Sequence, residues 1–256
     1  MLLADTHTHL YLPDFDSDRG EMIQRATRDG VVRLLMPNID IQSVDAMLSA
    51  AQAHKGICSP MIGLHPTSVR NDFRQQLDVL ESMYSAGKFI AVGEIGIDLY
   101  WDVTYLNEQR EAFRRQVQFA IDKDLPVVIH SRKSFREILT ILDEFRGEKI
   151  KGVFHAFSGD IRDAEEAVSI GFMLGIGGPL TYKNSDLSEI VKKTGIEHIV
   201  LETDSPYLTP VPHRGKRNES SYICIINRKL ADIFGRTEEE TAEITFDNSC
   251  RLFNIG

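Results

Sequence analysis

Ala4-Asp5-Thr6-His7-Thr8-His9 follows directly on the apolar Met1-Leu2-Leu3. Side chains of an extended strand alternate faces, so His7 and His9 point the same way. Two imidazoles side by side at a strand end can chelate one metal ion. A pair of ordinary surface or core histidines is the competing reading, because short motifs have a real false-positive rate. The rest of the chain decides between them by supplying, or failing to supply, further ligands.

Working outward, apolar runs rich in β-branched residues alternate with amphipathic stretches over the whole length, without a low-complexity linker. Strands are expected near Leu2–Asp5, Val31–Pro37, Cys58–Leu64, Phe89–Glu94, Pro126–His130, Gly152–His155, Phe172–Ile176 and Ile199–Glu202. Helices are expected at Gly20–Arg28, Ile41–His54, Phe73–Ala86, Asn107–Lys123, Phe135–Phe145, Asp163–Ile170, Asp186–Lys193 and Tyr222–Phe234. A last one, Thr237–Leu252, opens with Thr237 and Glu240 at capping-box spacing and ends near Asn254 and Gly256. Eight strands alternating with helices in roughly 250 residues match a single (β/α)8 TIM barrel spanning residues 1–256. The strands read as continuous apolar runs, as parallel strands covered on both faces should. A doubly wound open sheet is the structural alternative, but no GxGxxG follows the first strand.

On that map, His7 and His9 end strand one, His65 follows strand three and Glu94 ends strand four. His130 and His155 end strands five and six, and Asp204 follows strand eight. All seven sit at C-terminal strand ends, the face where barrel enzymes carry their chemistry. His54 and His198 lie elsewhere and read as structural or solvated.

His7, His9, Glu94, His130, His155 and Asp204 offer four imidazoles and two carboxylates. Six ligands exceed what one catalytic ion with an open position needs, and suit two ions about 3.5–4 Å apart. Glu94, between the histidine clusters, is the natural bridge. His7, His9 and Asp204 then hold one ion, and His130 and His155 the other. Such a pair suits a hydrolytic displacement, with Glu94 and Asp204 as the catalytic carboxylates and Asp204 placed to orient or deprotonate the attacking water. Four imidazoles favour zinc, manganese or another transition metal by affinity, while cellular availability favours magnesium.

The composition, 42% hydrophobic and 26% charged, is that of an ordinary globular chain. The three cysteines, Cys58, Cys224 and Cys250, lie far apart. They indicate neither a disulfide framework nor a cysteine zinc site, and fit a reducing cytoplasmic compartment. No apolar run reaches membrane-spanning length, and the N-terminus lacks the basic and apolar regions of a secretory signal. The net charge of −9 argues against a protein that coats nucleic acid electrostatically. It leaves room for an enzyme that engages a phosphodiester through metal and one local basic patch.

Several stretches together resemble the TatD family. They are Asp5-Thr6-His7-Thr8-His9-Leu10, Gly63-Leu64-His65-Pro66, Gly93-Glu94-Ile95-Gly96-Ile97-Asp98, His130-Ser131-Arg132 and His155-Ala156-Phe157-Ser158-Gly159. Leu201-Glu202-Thr203-Asp204-Ser205-Pro206-Tyr207-Leu208 and Pro212-His213-Arg214-Gly215-Lys216-Arg217-Asn218-Glu219 complete the series. The resemblance implies a metallo-dependent hydrolase barrel, a deoxyribonuclease with exonuclease activity, and the same six metal ligands. It implies His65 as a phosphate or substrate contact and DNA, single-stranded or frayed at its ends, as substrate. Departures are Ser220, where the family often continues with proline, and Lys133, where it often has an acidic residue. Neither position carries a proposed ligand; both bear on substrate preference.

Around this centre, His213, Arg214, Lys216 and Arg217 crowd a loop after strand eight. Arg214, Lys216 and Arg217 are candidate phosphate contacts, as is Arg132. A solvated loop, or an internal tie of Arg214 to Glu219, is the plainer alternative for the loop, and a structural salt bridge is the alternative for Arg132. Asp98 can hold a ligating imidazole in the right tautomer, and Glu202 can do the same or be a buried carboxylate paired with a base. Tyr100, Trp101, Phe157 and Tyr182 fall in loops on the same face, where aromatics can stack on bases or simply pack. An amide or ester hydrolase acting on a small metabolite or an aminoacyl-nucleic acid would use the same site, and a non-catalytic binding barrel would be expected to have lost a ligand. No membrane association and no obligate protein partner is expected.

Overall fold

The computed structural model describes residues 1–84 and 88–256. Among them, the strands are β1 (Leu3–Asp5), β2 (Val31–Met36), β3 (Cys58–Pro60), β4 (Val92–Asp98), β5 (Val127–Arg132), β6 (Gly152–Phe154), β7 (Met173–Ile176) and β8 (Ile199–Leu201). The helices are α1 (Arg19–Arg28), α2 (Ile41–Ala53), α3 (Phe73–Tyr84), α4 (Leu106–Asp122), α5 (Phe135–Asp143), α6 (Ile161–Ser169), α7 (Leu187–Thr194), α8 (Ile223–Phe234) and α9 (Glu238–Phe253). Pairing is parallel and in sequence order, β1 to β3 and β4 to β8. Parallel bridges Ile62–Val92 and Thr8–Ser205 join the two runs, so the sheet closes into a (β/α)8 barrel.

Alternation along the strands sorts the apolar residues into two layers. Leu35, Val128, Val153, Met173 and Val200 fill the barrel with Met61 and Ala91, and Leu252, Phe253 and Ile255 at the end of α9 pack against them. Leu34, Ile129 and Leu174, one position away, belong to the larger cluster that includes helix residues such as Met22, Phe113 and Val191. Each such buried side chain stabilises the fold by about 1.5–3 kcal/mol. The inward parity continues upward: two residues beyond Val128 comes His130, two beyond Val153 comes His155, and two beyond Val200 comes Glu202. The polar site is therefore the next layer above an apolar one.

Three strands differ from the sequence expectation by more than one residue; β5 runs from Val127 to Arg132, so His130 lies inside it rather than at its end. β4 begins at Val92 and runs to Asp98, because its ladder with β5 continues from Ile95–Ile129 to Asp98–Arg132 after a register shift. Glu94 is thus inside β4 rather than at its end. Gly96 permits this close pairing: its φ is +146°, and a Cβ there would lie 2.1 Å from the His130 carbonyl oxygen. β3 stops at Pro60, and the segment to Leu64 is held by single bonds such as Met61 N–H to Met36 O. The helix expected over Phe73–Ala86 is described to Tyr84; Ser85 and Ala86 lie outside the described residues. The capping box opens α9 as expected, with Thr237 N–H donating to Glu240 Oε2 at 2.8 Å.

Candidate metal centre and substrate cleft

Glu94 sits at the middle of the barrel mouth, almost fully buried, with its two oxygens facing different imidazoles. Oε2 lies 3.1 Å from His7 Nε2 and 3.7 Å from His9 Nε2. Oε1 lies 2.9 Å from His130 Nδ1, 3.3 Å from His65 Nε2 and 3.7 Å from His155 Nε2. Asp204 completes the ring, with Oδ1 at 3.6 Å from His9 Nε2 and 3.8 Å from His7 Nε2, and Oδ2 at 3.9 Å from His155 Nε2. All six residues expected as ligands converge, and His65 stands among them.

His155 Nε2 faces the same Glu94 oxygen as His130 Nδ1, while its ring stacks on His7 at 3.4 Å between centroids; His65 Nε2 approaches His130 Nδ1 at 3.3 Å. Among the described residues, three donor groups are compact enough for an ion: His7, His155 and Asp204; His7, His9 and Glu94; and His65, Glu94 and His130.

The residues fit a divalent metal. His7 Nε2 and His9 Nε2 lie 3.2 Å apart, both beside Glu94, while the buried His7 Nδ1 has no hydrogen-bond partner among the described residues. Imidazole nitrogens and carboxylate oxygens aimed at one point are a transition-metal donor set. Burial holds His7 and His65 below the usual imidazole range, in the neutral form that offers a lone pair. Burial would also lower His155, yet Glu202, Glu94 and Asp204 carry it up to about 10. Against its own desolvation, Glu94 is kept well below the ordinary carboxylate range by His65, His155 and His7. The carboxylates thus demand positive charge at this point.

A second set of groups orients the imidazoles. Asp98 Oδ2 lies 2.8 Å from His130 Nε2. Glu202 Oε1 lies 3.0 Å from His155 Nδ1 and accepts Ala156 N–H at 2.6 Å. Gly175 leaves the room for it, since a Cβ there would lie 2.4 Å from Glu202 Oε2. Three supports escape sequence reasoning. Tyr11 OH touches His9 Nδ1 at 3.0 Å and donates to Pro37 O at 2.7 Å. Buried Asp5 accepts Thr203 N–H and Oγ1–H at 2.8 and 2.6 Å, locking the Asp204 loop to the His7 strand. Desolvation raises its carboxyl to about 7. Asp204 has a left-handed backbone, φ +55°, and its N–H donates to His7 O at 2.8 Å. Asn38 bridges to Gly63 O at 2.8 Å, and its backbone carbonyl accepts Glu94 N–H at 3.0 Å.

Above the ring opens a cleft of about 750 Å³. His65, Glu94, His130, Arg132, His155, Asp204 and Trp101 reach it, and Phe157, Leu187 and Ile190 form an apolar arm. His65 is fixed by its own turn, Nδ1 accepting Thr67 N–H at 3.2 Å. The expected basic contacts divide. Arg132 lines the cleft and is exposed. Arg214 and Lys216 are also exposed but do not line it, and the Arg214 guanidinium lies 4.3 Å above the Tyr182 ring. Arg217 does not line the cleft; it forks onto Asp18 at 2.7 and 2.8 Å and donates to Asp14 O, so it fastens the loop to the segment before α1. Glu219 is held by Arg25, at 2.7 and 3.0 Å, and not by Arg214.

The TatD related DNase family model matches residues 4–254. The chain is 35% identical over 255 residues to the uncharacterized metal-dependent hydrolase YabD of Bacillus subtilis (strain 168), covering 99% of this chain and 100% of the relative. It is 32% identical over 263 residues to the uncharacterized metal-dependent hydrolase TatD of Mycobacterium tuberculosis (strain ATCC 25618 / H37Rv), covering 99% and 98%. The crystal structure of YjjV, a TatD homolog from Escherichia coli K12, superposes with a TM-score of 0.93 at 28% identity, over 99% of this chain and 98% of that one. The sequence signatures, the barrel and these end-to-end matches agree: this chain belongs to the TatD family.

Proposed function

We propose that the chain is a metal-dependent hydrolase that cleaves phosphodiester bonds of DNA, trimming single-stranded or frayed ends as an exonuclease. The observation that carries this reading is the division of Glu94, one oxygen facing His7 and His9 and the other facing His130, His65 and His155. A carboxylate so placed suits two divalent ions, with His7, His9 and Asp204 on one side and His130 and His155 on the other. Magnesium, manganese and zinc are the candidates. Held there, such ions supply the positive charge that offsets oxygen anions in the transition state and make water acidic near neutral pH.

The chain's own residues do the rest. Asp204, held below the ordinary carboxylate range by His155 and its neighbours in spite of burial, stays ionised and can take a proton from attacking water. His65, with Nδ1 accepting from Thr67 N–H, presents Nε2 to a phosphoryl oxygen. Arg132 at the cleft wall is available to a flanking phosphate, and the exposed Arg214 and Lys216 to phosphates farther along the strand.

A second reading is an amide or ester hydrolase of small molecules. The apolar arm and the cleft volume, inside the ~300–1,000 Å³ range of small-molecule sites, favour it. Hydrolysis of end-labelled single-stranded DNA by metal-stripped protein, with Mg²⁺, Mn²⁺ or Zn²⁺ restored singly, separates the two. Metal-restored trimming supports the nuclease; no cleavage by protein that binds metal moves the assignment to the amide or ester bond.

A further inference from the structure

Trp101 is 72% exposed on the wall of the cleft that contains Glu94, His130 and Arg132. Its ring meets Tyr100 edge-on, centroids 4.9 Å apart at 85°. The segment is pinned, because Asp98 Oδ1 accepts the backbone N–H of both Tyr100 and Trp101, at 2.8 and 2.9 Å. The other oxygen of the same carboxylate holds His130 Nε2. One side chain therefore fixes an aromatic platform relative to an imidazole of the centre. Beside it, the Arg132 guanidinium and the Lys133 ammonium lie 4.8 and 5.0 Å from the Tyr100 ring centroid.

We infer that Trp101 is the stacking platform for the nucleobase next to the scissile phosphodiester, with Arg132 and Lys133 taking the adjoining backbone phosphate. The inference rests on the phosphodiesterase reading. A π-face beside two cations meets the two chemistries of single-stranded nucleic acid, bases that stack and phosphates that carry charge. A substrate with only apolar bulk would find its place in the arm of Phe157, Leu187 and Ile190 and make no use of the cations. The rim thus selects for a base attached to the bond being cut, a preference that the centre itself does not impose.

Trp101 is the sole tryptophan of the sequence, so its emission reports on this position alone. Metal-loaded protein is titrated with a hydrolysis-resistant phosphorothioate tetrathymidylate and with its abasic counterpart. Saturable quenching by the first is expected, and binding at least about tenfold weaker, without quenching, by the second. By anisotropy of labelled tetrathymidylate, Trp101→Ala weakens binding about tenfold, and Trp101→Phe restores most of it. Unchanged emission on binding, or wild-type affinity in Trp101→Ala, overturns the inference. Cleavage of an ordinary phosphodiester oligonucleotide is followed in parallel. Cleavage without a tryptophan response removes the platform and leaves the nuclease. Quenching without cleavage removes the nuclease and, with it, the placement of the base beside a scissile bond.

Discussion

The Tyr11 hydroxyl gives its proton to Pro37 O at 2.7 Å, so toward His9 Nδ1, 3.0 Å away, it can only accept. His9 must then carry its proton on Nδ1 and turn the Nε2 lone pair to Glu94 and Asp204. Tyr11→Phe removes this tautomer lock with little change in volume. Metal affinity, measured by calorimetry, is expected to fall about 10–100-fold, with the circular dichroism spectrum unchanged. Wild-type affinity in this variant would show that His9 is oriented by something else.

Asp98 occupies the same kind of position toward His130, and it also holds the rim. Hydrogen bonding from His130 and from the Trp101 and Tyr100 amides outweighs its burial and keeps its carboxyl down at about 2. Asp98→Asn keeps the shape and loses the charge. A fall in kcat of about 10–100-fold is expected, together with a weaker tryptophan response to oligonucleotide. An effect on only one of these would show that the platform and the centre are independent.

Arg217 and Arg132 distinguish a loop fastening from the proposed substrate contact. Arg217→Ala is expected to cost about 1 kcal/mol, a Tm decrease of about 2–4 °C, and to leave the salt dependence of DNA binding unchanged. Arg132→Ala should leave Tm within error and reduce the slope of log K against log salt by about one. The opposite pattern would return Arg217 to the substrate side.

The same fork gives a pH signature. Hydrogen bonding from Arg217, reinforced by Arg25, lowers the Asp18 carboxyl from 3.8 to about 2. A depressed folded-state pKa stabilises in full above the unfolded value and is lost as pH falls through the folded one. The Tm difference between wild type and Asp18→Asn should therefore be constant above about pH 5 and shrink between about pH 4 and 2. A difference that does not change over that window would refute the assignment.

Much of this was legible in the chain because inward parity and strand order are written in it. His130 and His155 each stand two positions beyond a valine that fills the barrel, so apolar runs and histidines point to one face. Asp98 and Glu202 were identifiable for the same reason. Tyr11, Asn38, Asp5 and Thr203 were not, since their partners lie on other strands: Asp5 reaches Thr203 only where β1 closes against the end of β8. The place of Glu94 within β4 was hidden too. The apolar Phe89-Ile90-Ala91 imitates a strand start, and only the β5 ladder shows that pairing continues to Asp98. Arg217 looked like its basic neighbours because charge on a loop does not disclose which way it turns; Asp18, near the other end of the chain, decides that.

The central claim is that Glu94 joins two ions into one hydrolytic centre, and metal content measured beside turnover tests it most directly. Metal-stripped wild type and Glu94→Ala are reloaded, dialysed and analysed for ions per chain, and each is assayed on end-labelled single-stranded DNA. The expected result is two ions and trimming in the wild type, with a reduced metal content, no trimming and an unchanged circular dichroism spectrum in the variant. Near-wild-type trimming by Glu94→Ala with its metal content intact would contradict the account.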